Sequence, residues 1–160
     1  MEIAQHLVAE LRRRWPLGRL ASVRPDGAPH LVPIVFVEVA GLLWSPIDAK
    51  PKLERTPARV RNLRAEPRAS LLLDAWERDW SRLWWLRLDV AVTVLDGEQL
   101  LTSEEYAEVR AALHSKYPQY GELPLFRAEP ILLRMTPGHV ASWCASPAAL
   151  AALERSLREL

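Results

Sequence analysis

The sequence predicts a mainly β protein of the α+β class, a small antiparallel barrel with flanking helices. Three observations support this prediction. Short apolar runs rich in β-branched residues are separated by turn residues. The run from residue 84 to 94 alternates between apolar and mostly polar positions. Finally, tight turns join neighbouring runs except where a helical segment intervenes, and parallel strands would need longer crossover connections.

The first half of the chain predicts one helix followed by three strands. Ile3, Leu7 and Leu11 recur at helical spacing, which predicts a helix over residues 2–14. The three strands are expected at 20–24, 30–39 and 42–46. Pro25-Asp26-Gly27 supplies the first hairpin turn and Gly41 the second.

The second half predicts three helices and four strands. The helices are expected at 57–65, 102–117 and from Ser146-Pro147 to the end of the chain, each preceded by a Ser or Thr that suits a helix cap. The strands are expected at 68–76, 81–95, 130–136 and 139–145. The last two are predicted to pair as a hairpin around Pro137-Gly138.

Composition limits the classes of function. The 160 residues carry 21 basic and 20 acidic side chains, a balance that argues against a duplex nucleic-acid binder. The single Cys144 and four scattered histidines argue against a disulfide or a metal site. No apolar run is long enough for a membrane span, and no signal peptide is evident. We therefore expect one cytoplasmic domain over residues 1–160, without nucleic-acid or membrane partners.

A local excess of positive charge lies between residues 50 and 64. It consists of Lys50, Lys52, Arg55, Arg59, Arg61 and Arg64, opposed by Glu54 alone. A helix starting at Pro57 would add free backbone N–H groups and the positive end of its dipole, a combination that binds phosphate. The alternative is a solvated loop. The phosphate of a nucleotide, of flavin mononucleotide, of a sugar phosphate or of RNA would suit such a site.

Four tryptophans crowd into ten residues, at Trp76, Trp80, Trp84 and Trp85. Trp84 falls on the apolar face of its strand and is predicted to lie in the core. Trp85 falls on the other face, where it suggests a dimer contact or a wall for a ring-shaped ligand. Trp80 and Arg82 precede the strand, where they can meet a phosphate or a planar ring. A buried aromatic cluster is the alternative for each of these tryptophans.

Pro33 lies inside the predicted strand 30–39. A proline cannot donate to the strand ladder, so the strand is expected at a sheet edge or bulged at that point. The backbone of Val32, Pro33, Ile34 and Val35 can then offer hydrogen-bonding groups to a heterocycle. The alternative is an edge proline that only discourages aggregation.

Four segments together resemble a known group of proteins. They are "RLASVRPDGAPHLVPIVF", "LLWSPIDAKPK", "RVRNLRAEPRASLLLD" and "DWSRLWWLR". Their order resembles the split-barrel flavin-binding superfamily, of which pyridoxamine 5'-phosphate oxidase is the best-known member. Within it, "DAKPK" and "DWSRLWW" are similar to the branch of deazaflavin (F-420)-dependent oxidoreductases.

The resemblance implies a homodimer of six-stranded, Greek-key-like split barrels with a cofactor in each cleft between the subunits. Basic residues after the third strand and at the following helix would hold the phosphate. In this sequence those basic residues are Lys50, Lys52 and Arg59, and Asp48 of the same segment is implied to contact the cofactor. The ring would lie along residues 32–35, and Trp80 and Arg82 would contribute from around the cleft.

The expected function is hydride transfer between deazaflavin F-420, or flavin mononucleotide (FMN), and a small organic substrate. No catalytic residue is evident, which suits a reaction whose chemistry the cofactor carries. One alternative is an FMN-dependent enzyme similar to pyridoxamine-phosphate oxidase. A second is a protein that binds flavin, deazaflavin or haem without turnover. A third is a barrel that binds single-stranded nucleic acid.

Overall fold

The computed structural model of the protein describes residues 1–47, 57–122, 125–126 and 130–160. The helices are α1 Gln5–Arg14, α2 Ala58–Ala65, α3 Glu104–Lys116 and α4 Pro147–Glu159. The strands are β1 Gly18–Val23, β2 Pro29–Ile34, β3 Val37–Val39, β4 Leu42–Pro46, β5 Arg68–Ala75, β6 Trp84–Asp96 and β7 Ile131–Cys144. Short 3₁₀ helices lie at Trp80–Arg82, Glu98–Thr102 and Pro118–Gly121.

The four predicted helices and the long fifth strand are confirmed. Ser103 begins α3 by accepting the N–H of Tyr106 on its hydroxyl, and Ser146 begins α4 in the same way. Thr56, predicted to cap α2, lies outside the described residues, and Pro57 stands immediately before that helix. Along β6 the alternation holds, so that Trp84 is buried in the core as predicted and Trp85 is half-buried.

All seven strands join one antiparallel sheet in the order β2-β1-β5-β6-β7-β4-β3. The prediction of an α+β fold is therefore confirmed, and the sheet has one strand more than the six that the family resemblance implies. The structure differs from the predicted strands at two places, the segment 30–39 and the segment 131–144.

The predicted single strand over 30–39 is two strands at opposite edges of the sheet. β2 pairs with β1 and ends at Ile34, whereas β3 begins at Val37 and pairs with β4. The apolar pattern runs unbroken across Val35 and Phe36 because these residues also face the interior, so the sequence carries no sign of the break. The prediction that Pro33 lies in an edge strand is confirmed, because β1 is the only strand paired with β2 among the described residues.

The predicted hairpin at Pro137-Gly138 is wrong, because β7 runs through both residues without turning. Val90 of β6 pairs with Pro137, whereas Leu88 pairs with Val140, so the register shifts between them. This shift marks a β-bulge, in which one strand contributes an extra residue. A Cβ atom on Gly138 would lie 3.3 Å from the Asp89 carbonyl oxygen, so glycine suits the close approach of the two strands.

The two residues between β2 and β3 force the sheet to curl. Ile34 and Val37 belong to opposite edges of a seven-stranded sheet, yet three Cα-to-Cα steps span at most about 11 Å. Neighbouring strands are about 4.8 Å apart, so the two edges of a flat seven-stranded sheet would be separated by more than twice the length that this connection can span. The sheet must therefore bend until its edges meet at this corner, which is the geometry of a split barrel.

The inside of the curled sheet holds the larger hydrophobic core. Its fully buried residues include Leu20, Leu71, Leu86 and Leu133 of the strands and Phe36 of the connection between β2 and β3. Helices α1, α2 and α4 add residues to the same cluster. A second cluster lies between α3 and the strands β3, β4 and β7, and it includes Trp44, Val109 and Leu132. Burial of these apolar surfaces provides the main driving force for the fold.

Tyr117, just after α3, holds the corner between β2 and β3. Its hydroxyl accepts the N–H of Phe36 at 3.0 Å, and it lies 2.8 Å from the Phe36 carbonyl and 3.1 Å from the Pro16 carbonyl. Because a hydroxyl has one proton, it donates to one of these carbonyls at a time. The burial of this phenol raises the pKa of Tyr117 to about 12. The backbone of Phe36, which leaves the strand ladder, thus finds its partner in a side chain.

Lys116 lies beside the same corner. Its ammonium group is 4.1 Å from the centre of the Phe36 ring, and it donates no hydrogen bond within the described part of the chain. Burial lowers the pKa of Lys116 to about 7, although the nearby Glu38 carboxylate acts in the opposite direction. Glu38 itself pairs with Arg12 at 2.6 Å.

We expect Tyr117→Phe to destabilise the protein by about 1–3 kcal/mol, because the buried N–H of Phe36 loses its acceptor. Chemical denaturation followed by circular dichroism measures the change. Tyr106→Phe is the matched control, since no hydrogen bond to the Tyr106 hydroxyl occurs among the described residues. Equal stability of the two variants would contradict the role assigned to Tyr117.

We expect the stability of the wild-type protein to rise between about pH 7 and about pH 10, relative to Lys116→Met. Within this window the unfolded chain binds a proton that folded Lys116 does not, since the pKa of 10.5 drops to about 7 on folding. Unfolding free energies of both proteins, measured at several pH values across the window, test this. Parallel curves for the two proteins would show that Lys116 keeps its ordinary pKa.

Candidate functional site

The first predicted part of the site, residues 32–35, lies at the outer edge of the sheet. Val32 pairs with Leu20 and Pro33 with Arg19, while the other side of the β2 backbone faces away from the ladder. Every second residue of an edge strand directs its N–H and C=O groups outward. Val32 and Val35 are half-buried and Ile34 is buried, so this edge is firmly attached to the core. It can offer backbone hydrogen bonds from a rigid position.

The second part is the amino end of α2. This end has no acidic residue in its first turn and no side-chain cap, and half-buried Arg59 lies within that turn. Asn62 anchors the helix by donating to the Ser22 hydroxyl at 3.3 Å. Uncapped N–H groups together with a guanidinium suit an anion. Lys50 and Lys52, also predicted at the phosphate, and Asp48, predicted to contact the cofactor, lie outside the described residues.

The third part is the short 3₁₀ helix Trp80–Arg82. Trp80 is 74% exposed, and Arg82 lies 3.5 Å from the Glu77 carboxylate. Asp79 holds the turn by accepting the hydroxyl and the N–H of Ser81, and these hydrogen bonds lower the pKa of Asp79. The Trp80 side chain is therefore presented to solvent on a well-ordered turn, and it does not belong to a buried aromatic cluster.

Among the described residues, the second and third parts lie toward opposite ends of β5. The contact between Asn62 and Ser22 places α2 near the Arg68 end of β5, whereas Trp80 follows the opposite end of that strand. A strand of eight residues spans about 23 Å. Arg59 and Trp80 are thus separated along the strand direction, and a ligand that touches both would have to bridge two chains or a long distance.

The convex side of the sheet carries side chains that are all exposed or half-exposed. We call this surface the outer face. Its residues are Pro29, Leu31 and Pro33 of β2, Arg19, Ala21 and Val23 of β1, Arg68, Ser70, Leu72 and Asp74 of β5, and Trp85, Arg87, Asp89 and Ala91 of β6. Leu31 is 63% exposed there. Exposed apolar side chains such as Leu31 on the outer face are typical of a surface that contacts another molecule.

A groove of about 750 Å³ crosses the outer face beside the β-bulge. Small residues, including Ala21, Ala91 and Gly138, leave room for it. Asp89 also lines this groove. The Ser70 hydroxyl donates to the Asp89 carboxylate at 3.1 Å, and the His139 imidazole lies 3.8 Å from the same carboxylate.

The rim of this groove carries a pair of opposite charges. The Arg68 guanidinium donates two hydrogen bonds to the Glu66 carboxylate, and these bonds lower the pKa of Glu66 to about 2.

None of the predicted site residues that the structure describes lines the groove. The alternation of β6 places Asp89 on the outer face, but the proximity of His139 depends on the bulge, which the sequence did not indicate.

Within the described ranges, no group of three or more His, Cys, Asp or Glu side chains could hold a metal ion. None of the helices in that part of the chain is long and apolar enough to cross a membrane. Cys144 is a free, buried cysteine, and its burial raises the pKa of the thiol.

Comparison with solved structures identifies proteins of the same fold. The chain is 18% identical to HutZ, the heme storage protein of Vibrio cholerae, with a TM-score of 0.62 and coverage of 90% of this chain and 95% of the other. It is 20% identical to a FAD-binding protein of Mesorhizobium loti, with a TM-score of 0.62 and coverage of 87% and 92%. It is 19% identical to an F420 reductase, with a TM-score of 0.57 and coverage of 87% and 98%.

No curated protein sequence matches the chain. The family model described as pyridoxamine 5'-phosphate oxidase matches residues 4–144, from the start of α1 to the end of β7. This match includes the corner, the β2 edge, α2 and the whole seven-stranded sheet. The chain therefore belongs to the pyridoxamine 5'-phosphate oxidase family, within the split-barrel superfamily that its sequence resembles.

Proposed function

We propose that the protein is an oxidoreductase that binds a flavin-type cofactor and transfers a hydride between that cofactor and a small organic substrate. The observation that carries this proposal is the amino end of α2, where Arg59 and uncapped backbone N–H groups meet in a member of a flavin-enzyme family. Among proteins of the same fold, one is a FAD-binding protein and another an F420 reductase.

The residues of this chain fit the two ends of such a cofactor. Arg59, with Lys50 and Lys52 of the preceding segment, would hold the phosphate through charge-assisted hydrogen bonds. The outward backbone groups of β2 at residues 32–35 would bond the polar edge of the ring system. When bound, the cofactor supplies the hydride chemistry, and the protein's part is to bind and orient the cofactor and substrate.

Deazaflavin F-420 is our first choice of cofactor and FMN the second. Both carry a ring system and a phosphate, but the deazaflavin has a longer acidic tail. The basic residues from Lys50 to Arg64 exceed what one phosphate needs, and the surplus suits that tail. The same surplus has no evident use with FMN.

We further propose that the working form is a homodimer with the cofactor between the subunits. The separation of Arg59 from Trp80 within one chain supports this, because a second chain can place its own Trp80 and Arg82 beside the first chain's Arg59. The outer face, with exposed Leu31, offers an apolar surface for the contact. Trp85, half-buried on that face, would then close the cleft.

A second candidate function is haem binding without turnover. It rests on the shared fold with a heme storage protein and on His139, whose exposed imidazole lies 3.8 Å from the carboxylate of Asp89, a residue that lines the groove. The imidazole of His139 would then hold the haem iron, with Asp89 beside it. A titration with haemin distinguishes the two functions, because haem binding through His139 would give a Soret shift that His139→Ala abolishes.

We expect purified protein to bind F-420 more tightly than FMN, and Arg59→Ala to weaken binding about ten-fold or more through loss of a charge-assisted hydrogen bond. Lys50→Ala and Lys52→Ala are expected to act in the same direction. Fluorescence quenching measures each Kd, and circular dichroism confirms that every variant is folded. Arg13→Ala, which removes a 62% exposed arginine of α1, is the control. Binding unaffected by all three substitutions would rule out this phosphate site.

We expect Leu31→Asp to convert a dimer into monomers, because it places a charge in the apolar outer face. Sedimentation velocity measures the change in mass, and the cofactor titration repeated on the monomer tests whether the site needs two chains. Leu160→Asp, at the exposed end of the chain, is the control. A monomeric wild-type protein, or a monomeric variant that binds cofactor normally, would disprove the two-chain site.

A further inference from the structure

A second concave site lies on the opposite side of the molecule, beside α3. A hollow of about 480 Å³ opens between this helix and the residues that follow it. It is lined by Leu101, Tyr106, Arg110, His114, Tyr120, Gly121, Glu122, Leu125, Phe126 and Pro130. We propose that this hollow binds a small, flat aromatic carboxylate, in a site separate from the proposed cofactor cleft.

The walls of the hollow are aromatic and firmly held. The rings of Tyr106 and Phe126 stack with centroids 5.9 Å apart and an angle of 28° between their planes. Tyr120 packs edge-on against Tyr117, the residue that holds the corner between β2 and β3. Tyr106, Tyr120 and Leu125 are nearly buried in the second hydrophobic cluster. Walls of this kind favour a flat, apolar body that slides between or against rings.

Two basic side chains project from α3 into the same hollow. Arg110 and His114 are four residues apart, one turn of helix, and Tyr106 precedes them by another turn. All three therefore lie on one face of the helix and line the hollow together. Arg110 has no hydrogen bond or ion pair within the described residues, so its guanidinium is available to a ligand. A guanidinium binds a carboxylate through two parallel hydrogen bonds.

Among the described residues, no carboxylate contacts the guanidinium in the hollow. Arg110 is the one cation among the described lining residues, His114 adds an imidazole that can donate a hydrogen bond, and Glu122 is the only acidic residue. It forms no ion pair with either of them among the residues described. The charge of Arg110 also acts on the phenol of Tyr106, since it opposes the rise in the pKa of Tyr106 that burial causes. The guanidinium therefore lies near the aromatic wall, where the carboxylate of a flat ligand would meet it.

Two neighbouring hollows lie beside Arg110. The smaller one has a volume of about 360 Å³. It shares four lining residues with the larger hollow and is also lined by Ala107 and Ala111; the shared residues are Leu101, Tyr106, Arg110 and His114. Arg110 thus lines both hollows. The larger hollow holds the aromatic rings, so the ring of the ligand is expected there.

This site does not depend on the proposed cofactor. α3 packs on β3 and the second hydrophobic cluster, whereas the outer face is formed by β2, β1, β5 and β6. Of the residues proposed to bind the cofactor, none that the structure describes lines either hollow. Success or failure of the cofactor experiments therefore leaves this proposal unchanged.

The test uses the full chain and two probes of the same shape, naphthoate and the uncharged naphthamide, with Kd measured by calorimetry. We expect naphthoate to bind about ten-fold or more tightly than naphthamide, because only the carboxylate can bond the guanidinium. Arg110→Gln should remove this advantage and leave naphthamide binding unchanged. Arg13→Gln, an exposed arginine on α1, should change neither Kd.

Competition with FMN and F-420 separates this site from the cofactor cleft. Saturating either cofactor should leave the Kd for naphthoate unchanged. The proposal is overturned if naphthoate does not bind, if it binds no better than naphthamide, if Arg110→Gln and Arg13→Gln behave alike, or if a bound cofactor displaces the probe. Arg110 is exposed and without an ion pair among the described residues, so its substitution is expected to leave the protein folded.

Discussion

The two-residue connection at Val35 and Phe36 is the constraint on which the rest of the structure depends. It joins strands at opposite edges of a seven-stranded sheet, and so it fixes the curl that encloses the larger core. At this sharp corner the backbone N–H and C=O groups of Phe36 lie outside the strand ladder and have no strand partner among the described residues. The Tyr117 hydroxyl supplies the missing partner, which ties α3 and the second hydrophobic cluster to the closure of the barrel.

The same curl decides where a ligand can bind. Side chains from β1, β2, β4, β5, β6 and β7 fill the interior that the described residues enclose. The candidate binding surfaces lie instead at the sheet edge, at the start of α2 and on the outer face. The elements that suit a phosphate and those that offer an exposed aromatic ring lie toward opposite ends of β5. In the homodimer proposed above, a second copy of the chain would bring the two together.

Much of the fold could be predicted from the sequence, because local patterns determine it. The alternation along β6, the Pro-Asp-Gly turn and the serine caps of α3 and α4 each act within a few residues. The corner at Phe36 and the bulge at Gly138 could not be predicted, because a distant tyrosine and a neighbouring strand determine them. In the candidate site, too, some features depend on local sequence and others on distant residues. The β2 edge and the start of α2 were evident from proline and basic residues, whereas the approach of His139 to Asp89 needed the register of two strands.

The strand order also has a consequence for how the chain folds. Trp44 of β4 pairs with Arg134 of β7, so the hairpin of β3 and β4 must wait for a strand from near the end of the chain. Until β7 arrives, Leu43 and Trp44, which are fully buried in the finished protein, lack the surfaces that cover them. Closing so long a loop is slow, and exposed apolar strands associate with other chains. The newly synthesised protein therefore passes through a stage in which its amino-terminal half is most vulnerable to aggregation.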